Sequence, residues 1–272
     1  MALIPSVTIL GAGNIGTALA RGLVQTGTLE ANRITLTRRH AEKLEHLGQE
    51  GYATTTDNVA ALAKGDLLVL AVEPSQLDDL LEEIGPHVDA ARHTVVSVVS
   101  GASIENLRRH LPQAAQVVRA MPNTSIAVGQ SMTCLCADDA SSAGLELARQ
   151  VFETVGTTLV IDEEQMGPAT ALCACGTAFF LRAIRAASQG GIEIGFHAED
   201  SLTMAAQTAL GAASLLLARG LHPEREIDRV TTPRGATISG LNEMEHQGFS
   251  SAMIKGITIS AEKVERLYKA GE

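Results

Sequence analysis

Apolar positions in the first half of the chain come in short blocks separated by polar and small residues. Val7–Leu10, Arg33–Thr37, Asp66–Val72, Thr94–Val99 and Gln116–Ala120 are rich in Val, Ile, Leu and Thr, the composition of strands. Asp66–Val72 is apolar almost throughout, which predicts a strand covered on both faces, as in a parallel sheet. Between the blocks the spacing becomes helical. Ile15, Leu19, Gly22, Leu23 and Thr26 fall on one face, and Leu77, Leu80, Leu81 and Ile84 on another that Pro74 opens. Further helical signals lie at His40–Glu50, from Thr54–Asp57 through Ala63, and at Ile104–Leu111. Gln130–Cys136, a helix near Ala140–Thr154 and Thr158–Ile161 continue the alternation. Strand alternating with helix predicts an α/β domain with a parallel, doubly wound sheet and ligands at the C-terminal ends of its strands.

Near Glu163 the pattern changes. From Met166 onward strand signals vanish and Ala/Leu-rich helical spacing takes over. Leu202, Ala205, Ala206, Ala209, Ala213, Leu216 and Leu217 keep a 3.6-residue period, as do Ile257, Ala261, Val264 and Tyr268. The expected division is therefore Met1–Asp162, binding a dinucleotide, and Glu163–Glu272, all-α. Stripes of small residues on a lone helical layer call for a partner, so a homodimer or a ring of dimers is expected.

Composition narrows the function classes. A net charge of −10 without a Lys/Arg-rich run argues against nucleic acid. Aromatics at 3%, with no Trp, leave no stacking platform for single strands. No uninterrupted apolar run approaches the roughly 18 residues of a bilayer span, and no leader pattern precedes the first strand, so the expectation is a cytoplasmic protein with no membrane partner. Cys134/Cys136 and Cys173/Cys175 do not have zinc spacing, and residues two apart on a helix point about 200° apart. Reduced, buried thiols are expected, and no metal.

The first block ends in Gly11-Ala12-Gly13-Asn14-Ile15-Gly16 and leads straight into a helix, the strand–turn–helix setting of a dinucleotide fingerprint. Gly11 suits the turn, Gly13 the approach of a pyrophosphate and Gly16 the closure of helix on sheet. This makes the first domain Rossmann-like, with Ala71–Glu73, Ser100–Gly101 and Met121–Asn123 at strand ends on the cofactor side. After the second strand an NAD enzyme carries an acid for the ribose 2′-hydroxyl; here Thr37-Arg38-Arg39 stands instead. Two guanidiniums suit a 2′-phosphate, so NADPH is expected, with NADH less preferred. In the helical half, Thr231-Thr232-Pro233-Arg234-Gly235-Ala236-Thr237 reads as a helix start, with a threonine cap and Pro in the first turn. Small residues at Gly235 and Ala236 leave backbone N–H groups open to a carboxylate, and Thr237 adds a hydroxyl. The same residues also fit a capped helix without a ligand. The apolar helix after Met166 holds no lysine, which argues against the β-hydroxyacid dehydrogenases.

The glycine fingerprint, Arg119–Thr124 (Arg-Ala-Met-Pro-Asn-Thr), Ala205–Ala213, His222-Pro223 and above all Val230–Leu241 resemble pyrroline-5-carboxylate reductase over nearly the whole chain. The resemblance implies NADPH-dependent reduction of the cyclic imine 1-pyrroline-5-carboxylate to L-proline. It also implies a helical domain that interlocks in a dimer, with substrate between the nicotinamide and the segment around Gly235–Thr237. By the same match Gly11, Gly13, Asn14, Ile15, Gly16, Arg38, Arg39, Asn58, Ala71, Val72, Glu73 and Pro74 would face cofactor. Met121, Asn123, Arg234, Gly235, Ala236 and Thr237 would face the imino acid, with Thr237, as the catalytic residue, on the imine nitrogen. The proton donor stays open between Thr237 and water.

The chain departs from the family pattern at Glu73, where Lys is usual, and at Arg234, where Gly is usual. Ser125 replaces Pro, and Cys173-Ala174-Cys175-Gly176-Thr177-Ala178-Phe179 replaces Ser-Gly-Ser-Gly-Pro-Ala-Tyr. Glu73 and Arg234 are expected to offset each other's charge. The departures leave two other readings open: a relative that reduces a related imino acid such as piperideine-carboxylate, and a non-catalytic NADP-binding protein.

Overall fold

The structure, a computed structural model, describes residues 4–267, so Tyr268 lies outside the described residues. The chain forms two compact units. One runs to Cys175 and includes the residues from Ser260 on; the other is Gly176–Ile259.

The first unit alternates β1 (Val7–Leu10), α1 (Asn14–Gln25), β2 (Ile34–Thr37), α2 (Glu45–Gln49), β3 (Ala53–Thr55), α3 (Asn58–Leu62), β4 (Leu67–Leu70), α4 (Leu77–Ile84), β5 (Thr94–Ser97), α5 (Ile104–Arg108), β6 (Gln116–Met121), β7 (Ser131–Ala137), α6 (Ala143–Glu153) and β8 (Gly156–Val160). The eight strands form one sheet in the order β3-β2-β1-β4-β5-β6-β7-β8. Successive residues serve opposite faces, so Ile9 and Val69 join Leu19, Leu23 and Phe152 in one core. Leu10, Leu68 and Leu70 join Leu77, Leu81 and Leu107 in the other. β1, β2, β4 and β5 are buried at every position, as their apolar runs predict.

Two features depart from the strand reading. β7 runs antiparallel to β6, with Met121 opposite Cys134. Residues 122–130 join them, mostly the 3₁₀ turn Thr124–Val128 and Gly129 at φ 67°, too little chain for the crossover a parallel pair requires. β3 is a strand where the sequence offers only a helix lead-in. Its three residues sit at the sheet edge, none of them fully buried, so no apolar pattern marks it.

After β8 come α7 (Met166–Ala169) and a π-helical segment, Thr170–Cys175. Met166 and Ala171 are buried, with Met166 in the core of the sheet unit, so the first unit extends past the change of composition near Glu163. The remaining helices are α8 (Gly176–Glu193), α9 (Ala198–Arg219), α10 (Pro223–Val230), α11 (Ala236–His246) and α12 (Phe249–Leu267).

Within the second unit α8 and α9 pack closely. Ser201 Oγ donates to the Ser188 carbonyl at 2.6 Å. A Cβ on Gly191 would stand 2.1 Å from Ser201 Oγ. Yet no apolar side chain of the described residues 176–259 is buried, and Leu217 is 88% exposed. A groove of about 460 Å³ between α8 and α9 is lined by Phe180, Ile184, Phe196 and Met204. The helical stretches Glu163–Glu193 and Ala198–Arg219 are also long and apolar enough to cross a bilayer by length and composition. Uninterrupted runs do not mark them, because their Ala, Leu, Ile, Phe and Met residues are interspersed with Gly, Ser and Thr and the apolarity emerges only as an average over the helix.

Candidate active site

β1 ends at Leu10, and the chain turns through Gly11 at φ 109°. A Cβ on Gly11 would stand 2.5 Å from the Ala71 carbonyl oxygen, and one on Gly16 would stand 2.3 Å from the Gly11 carbonyl oxygen. Glycine is thus what lets β1, the end of β4 and the first turn of α1 meet. At Gly13 nothing lies within 4 Å of a Cβ position. The Gly11 and Ala12 N–H groups donate to the Thr37 carbonyl at 3.2 and 2.8 Å, and the Gly13 N–H donates to the Gly11 carbonyl at 2.8 Å. α1 then begins at Asn14 with no side-chain cap. Its first-turn N–H groups and the positive end of its dipole face an open turn, a fit for a pyrophosphate.

A cleft of about 410 Å³ opens there, and Gly11, Gly13, Arg38, Arg39, Asn58, Ala71, Val72 and Glu73 all line it. Arg38 Nη1 donates to the Ala12 carbonyl at 2.9 Å, which places its guanidinium at the glycine turn. Asn14, Ile15, Gly16 and Pro74 do not line the cleft: the first three form the start of α1, and Pro74 opens a 3₁₀ turn. Sequence reasoning missed Lys43 and Glu83, which also line it. Lys43 could have been found as a third cation beside Arg38 and Arg39. Glu83 sits on a helix that joins the cleft only through the fold.

At the end of β6, Met121 and Asn123 are buried. Asn123 is held on three sides: its Oδ1 accepts from the Ser125 N–H at 3.0 Å, its Nδ2 donates to the Cys173 carbonyl at 3.2 Å, and its N–H donates to Ser131 Oγ at 3.2 Å. The thiols pair across this region as Cys134 with Cys173, not as sequence neighbours. The Cys134 thiol donates to Cys173, which holds Cys173 below the usual thiol range and pushes Cys134 up. Burial pushes Cys136 up to about 11. Cys173 and Cys175 are half-buried, which corrects the expectation of four buried thiols; the π-helical turn leaves both partly exposed. Among the described residues no group of three His, Cys, Asp or Glu is placed to hold a metal. Two residues before Met121, the buried Arg119 donates from Nη1 to Glu163 Oε1 at 2.9 Å. The same oxygen accepts from the Ile104 N–H at 2.6 Å.

In the second unit the expected helix start is displaced. α11 begins at Ala236 with Gly235 as its N-cap, so Thr231, Thr232 and Pro233 lie in the preceding turn. Arg234 is the cause. At φ 60° it is the one non-glycine residue with positive φ among the described residues, and this interrupts any helix that starts earlier. The Gly235 N–H donates to the Thr232 carbonyl at 2.8 Å, so the open donors begin at Ala236 and Thr237. No side chain caps them, and Thr237 is exposed. Glu73 and Arg234 are both exposed, and neither forms an ion pair among the described residues.

The family model for pyrroline-5-carboxylate reductase dimerisation matches residues 163–267. A model described as NADP oxidoreductase coenzyme F420-dependent matches residues 6–101. The chain is 53% identical to pyrroline-5-carboxylate reductase 1 of Dictyostelium discoideum, over 96% of its own length but half of that protein's. It is 49% identical to reductase 2 of the same organism, over 95% of its own length and 91% of the relative's. A solved pyrroline-5-carboxylate reductase of Coxiella burnetii superposes with a TM-score of 0.86 at 28% identity, covering 97% of this chain and 98% of that one.

Proposed function

The chain belongs to the pyrroline-5-carboxylate reductase family, and from that premise we propose that it reduces 1-pyrroline-5-carboxylate to L-proline. The observation that carries this reading is the cleft itself, where the glycine turn, the uncapped start of α1 and two guanidiniums meet. A nicotinamide bound there supplies a hydride from its ring. Arg38 and Arg39, joined by Lys43, favour a 2′-phosphate and hence NADPH over NADH. Gly11 and Gly13, with the N–H groups of Asn14, Ile15 and Gly16, take the pyrophosphate. Asn58, Ala71, Val72 and Glu73 complete the cofactor side, with Pro74 shaping the turn behind them.

Reduction of a cyclic imine requires a protonated nitrogen and an aligned carbon, and positioning supplies much of the rate. Met121 and Asn123, fixed at the end of β6, would support the nicotinamide end of the site from within the sheet unit. The Ala236 and Thr237 N–H groups bind the substrate carboxylate at the start of α11, Gly235 keeps that end unobstructed, and Arg234 adds a cation. Thr237 Oγ1 hydrogen-bonds the imine nitrogen. The protein oligomerises through the helical region, as its match to a dimerisation model supports, and we assign it a homodimer or a ring of such dimers in the cytoplasm. A second copy, rather than lipid, would cover the apolar faces of α8 and α9.

The test is NADPH oxidation with 1-pyrroline-5-carboxylate as acceptor and proline as the detected product. Faster turnover of the six-membered piperideine-carboxylate would reassign the substrate. NADPH binding with neither imine reduced would refute catalysis.

A further inference from the structure

The cleft is not uniformly basic. Besides Arg38, Arg39 and Lys43, its lining includes the carboxylates of Glu73, Asp79 and Glu83, of which Glu83, near the end of α4, is the one tied to the end of β2. Glu83 belongs to a chain of side chains that begins there. The buried Thr37 donates from Oγ1 to Asn58 Oδ1 at 2.7 Å, and Asn58 Nδ2 donates to Glu83 Oε2 at 2.9 Å. Both ends of the Asn58 amide are thereby engaged, its orientation is set, and the Glu83 carboxylate is fixed at the cleft wall.

The position matters because the end of β2 is where dinucleotide folds read the adenosine ribose. An acid there accepts the ribose 2′-hydroxyl and repels a 2′-phosphate. This chain has no acid on β2, but Asn58 and Glu83 bring one to that end of the cleft from a helix more than forty residues further along the sequence. The carboxylate and the guanidiniums therefore oppose each other in the choice between the two cofactors.

We propose that Glu83, held through Asn58 and Thr37, is a specificity-determining residue that accepts the ribose 2′-hydroxyl and restrains the preference for a 2′-phosphate set by Arg38 and Arg39. The assignment rests on the reading that a nicotinamide dinucleotide occupies this cleft. It makes the protein a user of both cofactors, with a bias toward NADPH smaller than its arginines alone would produce.

Glu83→Gln tests it, because glutamine retains an oxygen for the Asn58 amide and removes only the charge. Glu82→Gln is the control: it removes an equal charge from the neighbouring position of α4, outside the cleft lining. Dissociation constants for NADP⁺ and NAD⁺ are measured by calorimetry on both variants and on the unaltered protein, each with an unchanged unfolding midpoint. The expected result is a ratio of affinities about tenfold further toward NADP⁺ in Glu83→Gln, a modest effect for like charges at a protein surface, and no change in Glu82→Gln. An unmoved ratio in Glu83→Gln, or an equal shift in Glu82→Gln, overturns the assignment while leaving the function intact. If the unaltered protein binds neither dinucleotide, the reading of the cleft fails, and this assignment with it.

Discussion

Glu163→Ala removes the carboxylate that faces the Arg119 guanidinium, and its cost can be worked from the geometry. The Arg119 side chain is 7% exposed, that of Glu163 is 37% exposed, and they meet at 2.9 Å. At that distance the attraction is about 6 kcal/mol at an effective dielectric of 20, most of it cancelled by desolvation of the two charges. Stranding a fully buried partner costs about 3–5 kcal/mol. Water reaches more than a third of Glu163, so about 2–3 kcal/mol is expected here. The Ile104 N–H loses its acceptor as well, which adds about 1 kcal/mol. Glu163→Ala should therefore destabilise the protein by about 3–4 kcal/mol, and Glu163→Gln, which keeps an acceptor, by about 1–2 kcal/mol. Adding Arg119→Met to Glu163→Ala removes the stranded charge and should restore most of the loss. The chain has no Trp, so urea unfolding is followed by far-UV circular dichroism, at fixed protomer concentration because association contributes to stability. A loss below about 1 kcal/mol for Glu163→Ala, within the range of ordinary surface changes, would refute the reasoning. So would a double variant no more stable than Glu163→Ala alone.

The remaining predictions use other observables. In kcat/KM the unaltered enzyme should favour NADPH over NADH about tenfold or more, and Arg38→Ala with Arg39→Ala should erase that preference; an unchanged ratio would remove both residues from the 2′-phosphate site. Thr237→Val should lower kcat/KM for the imine about tenfold to a hundredfold while NADP⁺ affinity stays the same, and equal activity would show that its hydroxyl does not touch the nitrogen. Cys173 should be alkylated at lower pH than Cys136, as mass mapping would read, and Cys134→Ala should move its half-modification to higher pH, since the donated hydrogen bond stabilises the thiolate. His93 is held neutral, its pKa lowered first by burial and then by Arg92. The unfolded chain thus binds a proton that the folded chain refuses, and stability should fall as pH drops through about 6.5, the ordinary histidine value. His93→Asn should flatten that slope, and an identical slope would exclude His93 as its source.

Much of the architecture was local in origin and therefore legible in the residues. Short apolar blocks buried on both faces, a Gly-x-Gly-x-x-Gly run at one strand–helix turn and a change of period near Glu163 depend on neighbours within a few positions, and those neighbours are in the sequence. The cleft residues Arg38, Arg39 and Ala71–Glu73 could be placed because a doubly wound sheet sends its strand ends to one edge, whereas Asn58, at the start of α3, was marked only by the family resemblance. What the sequence could not contain were the choices made between distant segments. The antiparallel turn of β7 followed from the reach of the short Thr124–Val128 connection. The later start of α11 followed from a single arginine in a left-handed conformation. Cys134 met Cys173 because β7 and the π-helical turn came together, a pairing that spacing along the chain did not indicate. Glu83 reached the cleft with α4, whose Asp79 and Leu80 also line it, and its carboxylate was fixed there through Asn58 and Thr37. Periodicity records which face of an element is covered; which element covers it, and which polar groups meet there, is decided by packing among segments whose separation in sequence carries no signal.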